Sequence, residues 1–126
     1  MSTAIPYVAI VDDDAPVRKA LARLLNASAF KSRTYSSALE FLDSLEGAFP
    51  ECLVVDFQMP EMNGFELHDE LVRAGVRIPT ILITAHEDAS CRERCRAAGA
   101  VFLRKPLDHA VLISAIDRAI GRTHAN

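Results

Sequence analysis

Short runs of consecutive apolar residues alternate along the chain with longer segments in which apolar residues recur every three or four positions. Unbroken apolar runs are typical of buried strands, and the three-and-four spacing is typical of a helix with one buried face. The runs predict five strands, at 7–11, 30–35, 52–55, 80–84 and 100–103. The spaced segments predict five helices, at 16–27, 38–46, 65–74, 88–98 and 109–120.

Residues that begin and end helices support these boundaries. Asp14 is a predicted cap of the first helix, Pro16 suits its first turn, and Asp108 is a predicted cap of the last helix. Gly47 and Gly75 follow the predicted second and third helices, where a glycine commonly ends a helix. The chain therefore alternates strand and helix five times.

This alternation predicts an α/β fold. Strands that are apolar throughout, and separated by helices, indicate a parallel sheet covered on both faces. Right-handed crossover connections then give a doubly wound five-stranded sheet with five flanking helices. A length of 126 residues favours one domain over 1–126, with a core at about 6–121 and a short tail at 122–126.

Polar residues follow the predicted strands at one edge of that sheet, where ligands bind in open α/β folds. Three carboxylates there need a cation, and oxygen ligands favour Mg²⁺. A lysine and a threonine hydroxyl could hold a phosphoryl group, and Asp56 is a candidate nucleophile because an aspartate can form an acyl phosphate. Taken singly, each residue is more commonly a turn, cap or strand residue, so the hypothesis depends on their joint placement. The residues are Asp12 and Asp13, Asp56, Thr84 and Ala85, and Lys105.

Composition excludes some classes of function. The net charge is −3, so overall electrostatics does not indicate a nucleic-acid-binding protein. No apolar run approaches the roughly 18 residues that suggest a membrane span. The first residues lack the positive charge of a secretory signal. A cytoplasmic protein with no membrane contact is therefore expected.

Four strings carry a resemblance to a known family. They are IVDDD at 10–14, VVDFQMPEMNG at 54–64, TILITAH at 80–86 and FLRKPL at 102–107. With them, the sequence resembles the response-regulator receiver domain of two-component signalling over 7–120, and D-x-x-M-P-x-M-x-G is the most specific string. The resemblance implies a flavodoxin-like strand order, 2-1-3-4-5. It extends to receivers that elsewhere precede a LuxR-type DNA-binding domain, although no such output domain is recognisable within this sequence.

The resemblance assigns roles to the residues around the expected metal. Asp56 matches the aspartate that accepts a phosphoryl group from a histidine kinase. Asp13 matches a direct Mg²⁺ ligand, and Asp12 matches a neighbour that usually acts through water. The backbone carbonyl of Gln58 matches the main-chain metal ligand of the family.

Further roles concern the phosphoryl group and the switch. The hydroxyl of Thr84 is expected to turn toward the phosphoryl group, the N–H of Ala85 to donate to it, and Lys105 to pair with it. Pro106 fits the commonly cis Lys-Pro bond of the family. Phe102 matches the switch aromatic, which moves inward with the threonine.

Two features near the switch depart from the usual pattern. Only Val101 separates Gly99-Ala100 from Phe102, where the family usually has two residues, so the loop is one residue short. The helix before it, at 88–98, is rich in arginine and poor in large apolar residues. It is either a solvated, weakly packed helix or a basic surface for an acidic partner or a second copy of the chain.

The function implied is a phosphoryl-accepting switch rather than a turnover enzyme. Expected partners are a histidine kinase, a histidine phosphotransfer protein or downstream effector, and a second copy bound through the fourth helix, fifth strand and fifth helix. The alternatives are a phosphorylation-independent interaction module and the receiver part of a two-domain transcription regulator. An aspartate phosphatase with its nucleophile after the first strand would leave Asp56 unexplained.

Overall fold

The computed structural model describes residues 6–45, 49–85 and 89–121. The strands are β1 (Val8–Val11), β2 (Ser32–Tyr35), β3 (Cys52–Asp56), β4 (Thr80–Thr84) and β5 (Val101–Arg104). The helices are α1 (Ala15–Ala27), α2 (Ala38–Asp43), α3 (Gly64–Arg73), α4 (Ala89–Ala97) and α5 (His109–Ile120). The strands form one parallel sheet in the order 2-1-3-4-5, which confirms the predicted fold class.

The core lies on both faces of the three central strands, β1, β3 and β4, whose residues are all buried. Successive side chains of a strand point to opposite faces, so each strand contributes to two apolar layers. One layer contains Val11, Leu53 and Leu82 and packs under α2, α3 and α4, with Phe41 and Leu67 among its helix residues. The other lies under α1 and α5 and contains Ile10, Val54, Ile81, Leu25, Leu112 and Ile116.

Side-chain caps fix where four helices begin, and at α2 the hydroxyl of Ser37 accepts from the N–H of Glu40 at 3.0 Å. The carboxylate of Asp14 accepts from the N–H of Val17 at 3.4 Å, and that of Asp108 accepts from Ala110 at 2.9 Å, which confirms both predicted caps. Asn63 and Glu66 form a reciprocal capping box at the start of α3, a cap that was not predicted. The N-x-x-E spacing was the available signal.

Several predicted boundaries were wrong by a few residues, because backbone N–H and C=O groups near them form hydrogen bonds at the ends of helices. α2 ends at Asp43, where the hydroxyl of Ser44 donates to the carbonyl of Phe41 at 2.6 Å and competes with the helix. β2 begins at Ser32, because the N–H of Phe30 donates to Leu25 and completes the end of α1. β5 begins at Val101 for the equivalent reason at the end of α4. Gly47, the predicted first turn at Asp88 and the predicted tail at 122–126 lie outside the described residues.

Gly64 allows α3 to start directly against the end of β3. Its N–H donates to the carbonyl of Phe57 at 3.0 Å. A Cβ at this position would lie 2.7 Å from the backbone oxygen of Asp56 and 2.7 Å from Cδ2 of Leu82. Because one of these contacts is backbone, relief requires movement of the main chain next to Asp56.

We expect Gly64→Ala to lower the free energy of unfolding by about 2 kcal/mol, the usual range for overpacking in a dense interior. Urea denaturation measures the loss. The control is Gly121→Ala, where the added methyl meets open space and only the positive φ of 74° is unfavourable, at about 1 kcal/mol. An equal or smaller loss for Gly64→Ala would contradict the close-packing argument.

Candidate functional site

The parallel sheet brings the polar residues predicted from the sequence to its carboxyl edge. Asp12 follows β1, Asp56 is the last residue of β3, Thr84 is the last residue of β4 and Lys105 follows β5. The register places Asp56 beside Ile83 and Thr84 beside Arg104, so the ends of the three strands are level. The topology alone therefore assembles this edge.

Three carboxylates form a compact acidic cluster there. Asp12, Asp13 and Asp56 each offer an oxygen, and these oxygens all lie within 4.8 Å of one another. Asp12 and Asp56 are only 3% and 8% exposed, whereas Asp13 is exposed. The cluster consequently has a buried floor and is open to solvent on the side of Asp13.

Burial and mutual repulsion disfavour ionisation of the two buried carboxyls. Loss of solvent raises the pKa of Asp56, and the negative charge of Asp12 raises it further, against the opposing effect of Lys105. Loss of solvent also raises the pKa of Asp12, although the N–H of Asp14 donates to its Oδ1 at 2.9 Å and acts the other way. A cation placed among these oxygens would favour the ionised forms of both.

The donor set fits a hard divalent cation. All three side chains offer only oxygen, two of them are held by buried strand ends, and the third faces water, which a cation such as Mg²⁺ retains in its coordination shell. The N–H of Gln58 donates to the carboxylate of Asp56, so the main chain passes close to the cluster at the predicted carbonyl ligand.

Lys105 brings a positive charge to the same edge. Its Nζ lies 3.7 Å from Oδ1 of Asp56, and its side chain is one-third exposed. Its N–H donates to the carbonyl of Thr84 at 2.7 Å, which ties the end of β5 to the end of β4. The bond between Lys105 and Pro106 is cis, as the resemblance implied.

Thr84 and Phe102 lie on one face of the sheet. Phe102 pairs with Leu82, and Thr84 pairs with Arg104, two residues further along each strand. Side chains two residues apart in a strand share a face, so the short loop before Phe102 has not turned its ring away from Thr84. The ring is half-buried and packs against the core on the α4 side, while the predicted N–H donor Ala85 is exposed just after β4.

Two of the three arginines of α4 contact aromatic rings of neighbouring elements. The guanidinium of Arg94 lies 4.3 Å from the ring centre of Phe65, and that of Arg92 lies 5.7 Å from the ring centre of Phe102. The interpretation of 88–98 as a merely solvated helix missed both contacts. The only signal in the sequence was the spacing of Arg92, Arg94 and Arg96 at every second position, in a segment with few large apolar residues.

Within the described ranges, no helix is both long enough and apolar enough to cross a membrane.

Comparison with known proteins identifies the family. The sequence model of the protein family described as the response regulator receiver domain matches residues 8–117. The transcriptional regulatory protein FixJ of Rhizobium meliloti is 42% identical over 113 residues, which cover 89% of this chain and 55% of FixJ. The response regulator protein TodT of Pseudomonas putida F1 is 35% identical over 121 residues, covering 95% of this chain and 53% of TodT. The chain therefore spans about half the length of the curated relatives it matches.

Solved structures agree with that assignment. A response regulator receiver protein from Burkholderia phymatum superposes with a TM-score of 0.81 at 42% identity, covering 94% of this chain and 98% of that one. The crystal structure of FixJ-N superposes with a TM-score of 0.85 at 38% identity, covering 98% of this chain and all of the other. On the strength of the family match, these relatives and the fold, the chain belongs to the response regulator receiver domain family.

Proposed function

We propose that this receiver accepts a phosphoryl group on Asp56 from the phosphohistidine of a histidine kinase. The observation that carries the proposal is the convergence of three carboxylates within 4.8 Å, with an ammonium 3.7 Å from one of them. Asp56 is the proposed acceptor because its carboxylate adjoins the other two and forms an ion pair with Lys105. Its place at the end of a buried central strand holds the attacking oxygen still.

In the transfer, a carboxylate oxygen of Asp56 forms a bond to the phosphorus, and the phosphorus–nitrogen bond of the phosphohistidine breaks. The imidazole leaves with the bonding electron pair and takes up a proton. The product is an acyl phosphate on Asp56, with no net oxidation or reduction. The domain is itself the acceptor in this reaction, so we assign it no turnover activity.

Asp12, Asp13, Asp56 and the backbone carbonyl of Gln58 are the proposed residues for Mg²⁺. When bound, the ion supplies positive charge that offsets the charges of the carboxylates and of the phosphoryl oxygens. The raised pKa values of Asp12 and Asp56 support this assignment, because a bound cation would favour the ionised form of both groups.

Thr84, Ala85 and Lys105 are the proposed contacts of the transferred group. The ammonium of Lys105 already faces Asp56 and is partly exposed, so it can follow the added charge. Thr84 ends β4 and Ala85 follows it, at the same edge of the sheet as Asp56. Because Phe102 shares a face with Thr84, a movement of the threonine is transmitted toward α4.

The proposed output is a change in the surface formed by α4, β5 and α5. Val101 and Val111 leave apolar side chains exposed there, at 42% and 49%. A downstream effector, a histidine phosphotransfer protein or a second copy of the chain is the proposed partner, in the cytoplasm, with no direct contact to nucleic acid or membrane. The names and lengths of the relatives support a second candidate, in which this chain is the receiver part of a two-domain transcription regulator of about twice its length.

We expect Asp56→Asn to abolish covalent labelling by a small phosphodonor such as acetyl phosphate in the presence of Mg²⁺. The amide oxygen is a far weaker nucleophile than the carboxylate that it replaces. Mass spectrometry or radiolabel counts the modification. Asp14→Asn is the matched control, since Asp14 caps α1 and lies outside the cluster; it should label as the wild type does.

Equal labelling of Asp56→Asn and wild type would contradict the assignment of the acceptor. Wild-type protein that remains unlabelled with several donors and with Mg²⁺ would favour the phosphorylation-independent interaction module.

We expect Mg²⁺ to raise the melting temperature of the wild type, because an ion that binds only the folded state stabilises it. Asp13→Ala should abolish this rise. Asp14→Ala should keep the rise. Its melting temperature without Mg²⁺ should be lower than that of the wild type, because the lost helix cap lowers the free energy of unfolding by about 1 kcal/mol. Thermal melts with and without Mg²⁺ separate the two effects, and equal losses of the Mg²⁺ response would contradict the division of roles between these neighbours.

The contribution of Asp56 to the stability of the metal-free protein should fall as the pH rises from about 4 toward neutrality. The sign follows from Asp56: its pKa is raised on folding, so the folded state holds the proton to higher pH than the unfolded chain does. Without metal at pH 7, Asp56→Asn should therefore be more stable than wild type. The gain should be on the order of 1 kcal/mol, or about 4 °C in melting temperature.

This gain should shrink as the pH falls to about 4, where the wild-type carboxyl is itself protonated. Melting curves across pH in EDTA measure it, with Glu70→Gln on the exposed side of α3 as the charge-matched control. A gain that does not change with pH would rule out the ionisation of Asp56 as its cause.

A further inference from the structure

Arg18 contacts the main chain of the acidic cluster from α1. Its Nη1 donates to the backbone oxygen of Asp12 at 2.7 Å, and the side chain is half-buried. A hydrogen bond from a charged donor at this length is among the stronger ones in proteins. The peptide that carries this oxygen is the one that joins Asp12 to Asp13, so Arg18 restrains the backbone between two of the three clustered carboxylates.

The other bonds of this turn show what Arg18 adds. The N–H of Asp12 donates to the carbonyl of Tyr35 at 3.1 Å, which fixes the entry to the turn. The N–H of Asp14 donates to Oδ1 of Asp12 at 2.9 Å, which fixes the exit. Arg18 holds the carbonyl of Asp12, which lies between the entry and the exit of the turn. Asp13 is exposed, so the direction of its side chain depends on the backbone that leads to it.

The contact of Arg18 with the cluster is made to the main chain. Its Nη1 donates to the backbone oxygen of Asp12, whereas the oxygens that could hold a cation belong to the three carboxylates. Hydrogen bonds from Ser36 lower the pKa of Glu40 in α2, and the positive charge of Arg18 lowers it further. Arg18 therefore reaches the cluster through the backbone.

From these contacts we infer that Arg18 is a positioning residue for divalent-cation binding, because it holds the Asp12–Asp13 peptide so that both carboxylates face Asp56. The inference rests on the proposed Mg²⁺ site. A positioning role can be distinguished from a simple charge effect, because the two predict opposite changes in cation affinity when Arg18 is replaced. Removing a positive charge near an acidic site would by itself strengthen cation binding, whereas releasing the backbone weakens it.

The test compares Mg²⁺ affinity of the full chain by isothermal titration calorimetry in wild type, Arg18→Met, Arg18→Lys and Lys19→Met. Arg18→Met keeps the apolar stem and should weaken Mg²⁺ binding about tenfold, as the loss of a group supporting metal ligands commonly does. Arg18→Lys retains a cationic donor and should recover part of that loss. Lys19→Met removes the same charge from an exposed neighbour and should leave the affinity unchanged or slightly stronger.

A second measurement needs no metal. Amide hydrogen exchange in EDTA should be faster at Asp13 and Asp14 in Arg18→Met than in wild type, with the amides of β4 unchanged. Arg18→Lys allows both measurements if the methionine variant does not fold.

Mg²⁺ binding by Arg18→Met that equals or exceeds that of wild type would overturn the inference. If wild type itself shows no Mg²⁺ binding, the proposed metal site fails, and the exchange rates alone then decide whether Arg18 holds this turn.

Discussion

The repulsion among three carboxylates at the end of the sheet is the constraint around which the remaining structure is arranged. Two unit charges 4 Å apart repel by about 1 kcal/mol in water and about 4 kcal/mol near a protein surface. Asp12 and Asp56 cannot separate, because Asp12 follows β1 and Asp56 ends β3, and the residues of both central strands are all buried. The apolar core thus holds the charges together, and burial, with the repulsion between neighbouring carboxylates, raises the pKa of both groups.

α4 shows the opposite balance, with little apolar burial and much charge. Of its side chains that the structure describes, Cys95 is the buried one, and two arginines contact rings of α3 and β5. Such cation–π contacts contribute about 0.5–1 kcal/mol at exposed sites, against about 1.5–3 kcal/mol for burying a large aliphatic side chain. α4 is therefore held less firmly than the helices packed through leucines, and it covers the half-buried Phe102.

The parts of this structure that the sequence predicted are those that periodicity and topology determine. Asp12, Asp56, Thr84 and Lys105 meet because parallel strands end at one edge, whatever the details of side-chain packing. The contacts of Arg18 and Arg94 could not be predicted, because they depend on how each helix is rotated and spaced against its neighbour. The start of β5 was missed by one residue for a local reason, since the chain first closes the end of α4.

The segment after Asp56 is a closed ring of backbone. The N–H of Gly64 returns to the carbonyl of Phe57, and within the ring the N–H of Met62 donates to Pro60 at 2.8 Å across Glu61, whose φ is 70°. Both ends are fastened to the same strand terminus, so the length of this segment is fixed while its outward side chains remain free to vary. The side chains of this segment can therefore change by substitution. An added or deleted residue would have to break the hydrogen bond between Gly64 and Phe57 that closes the ring.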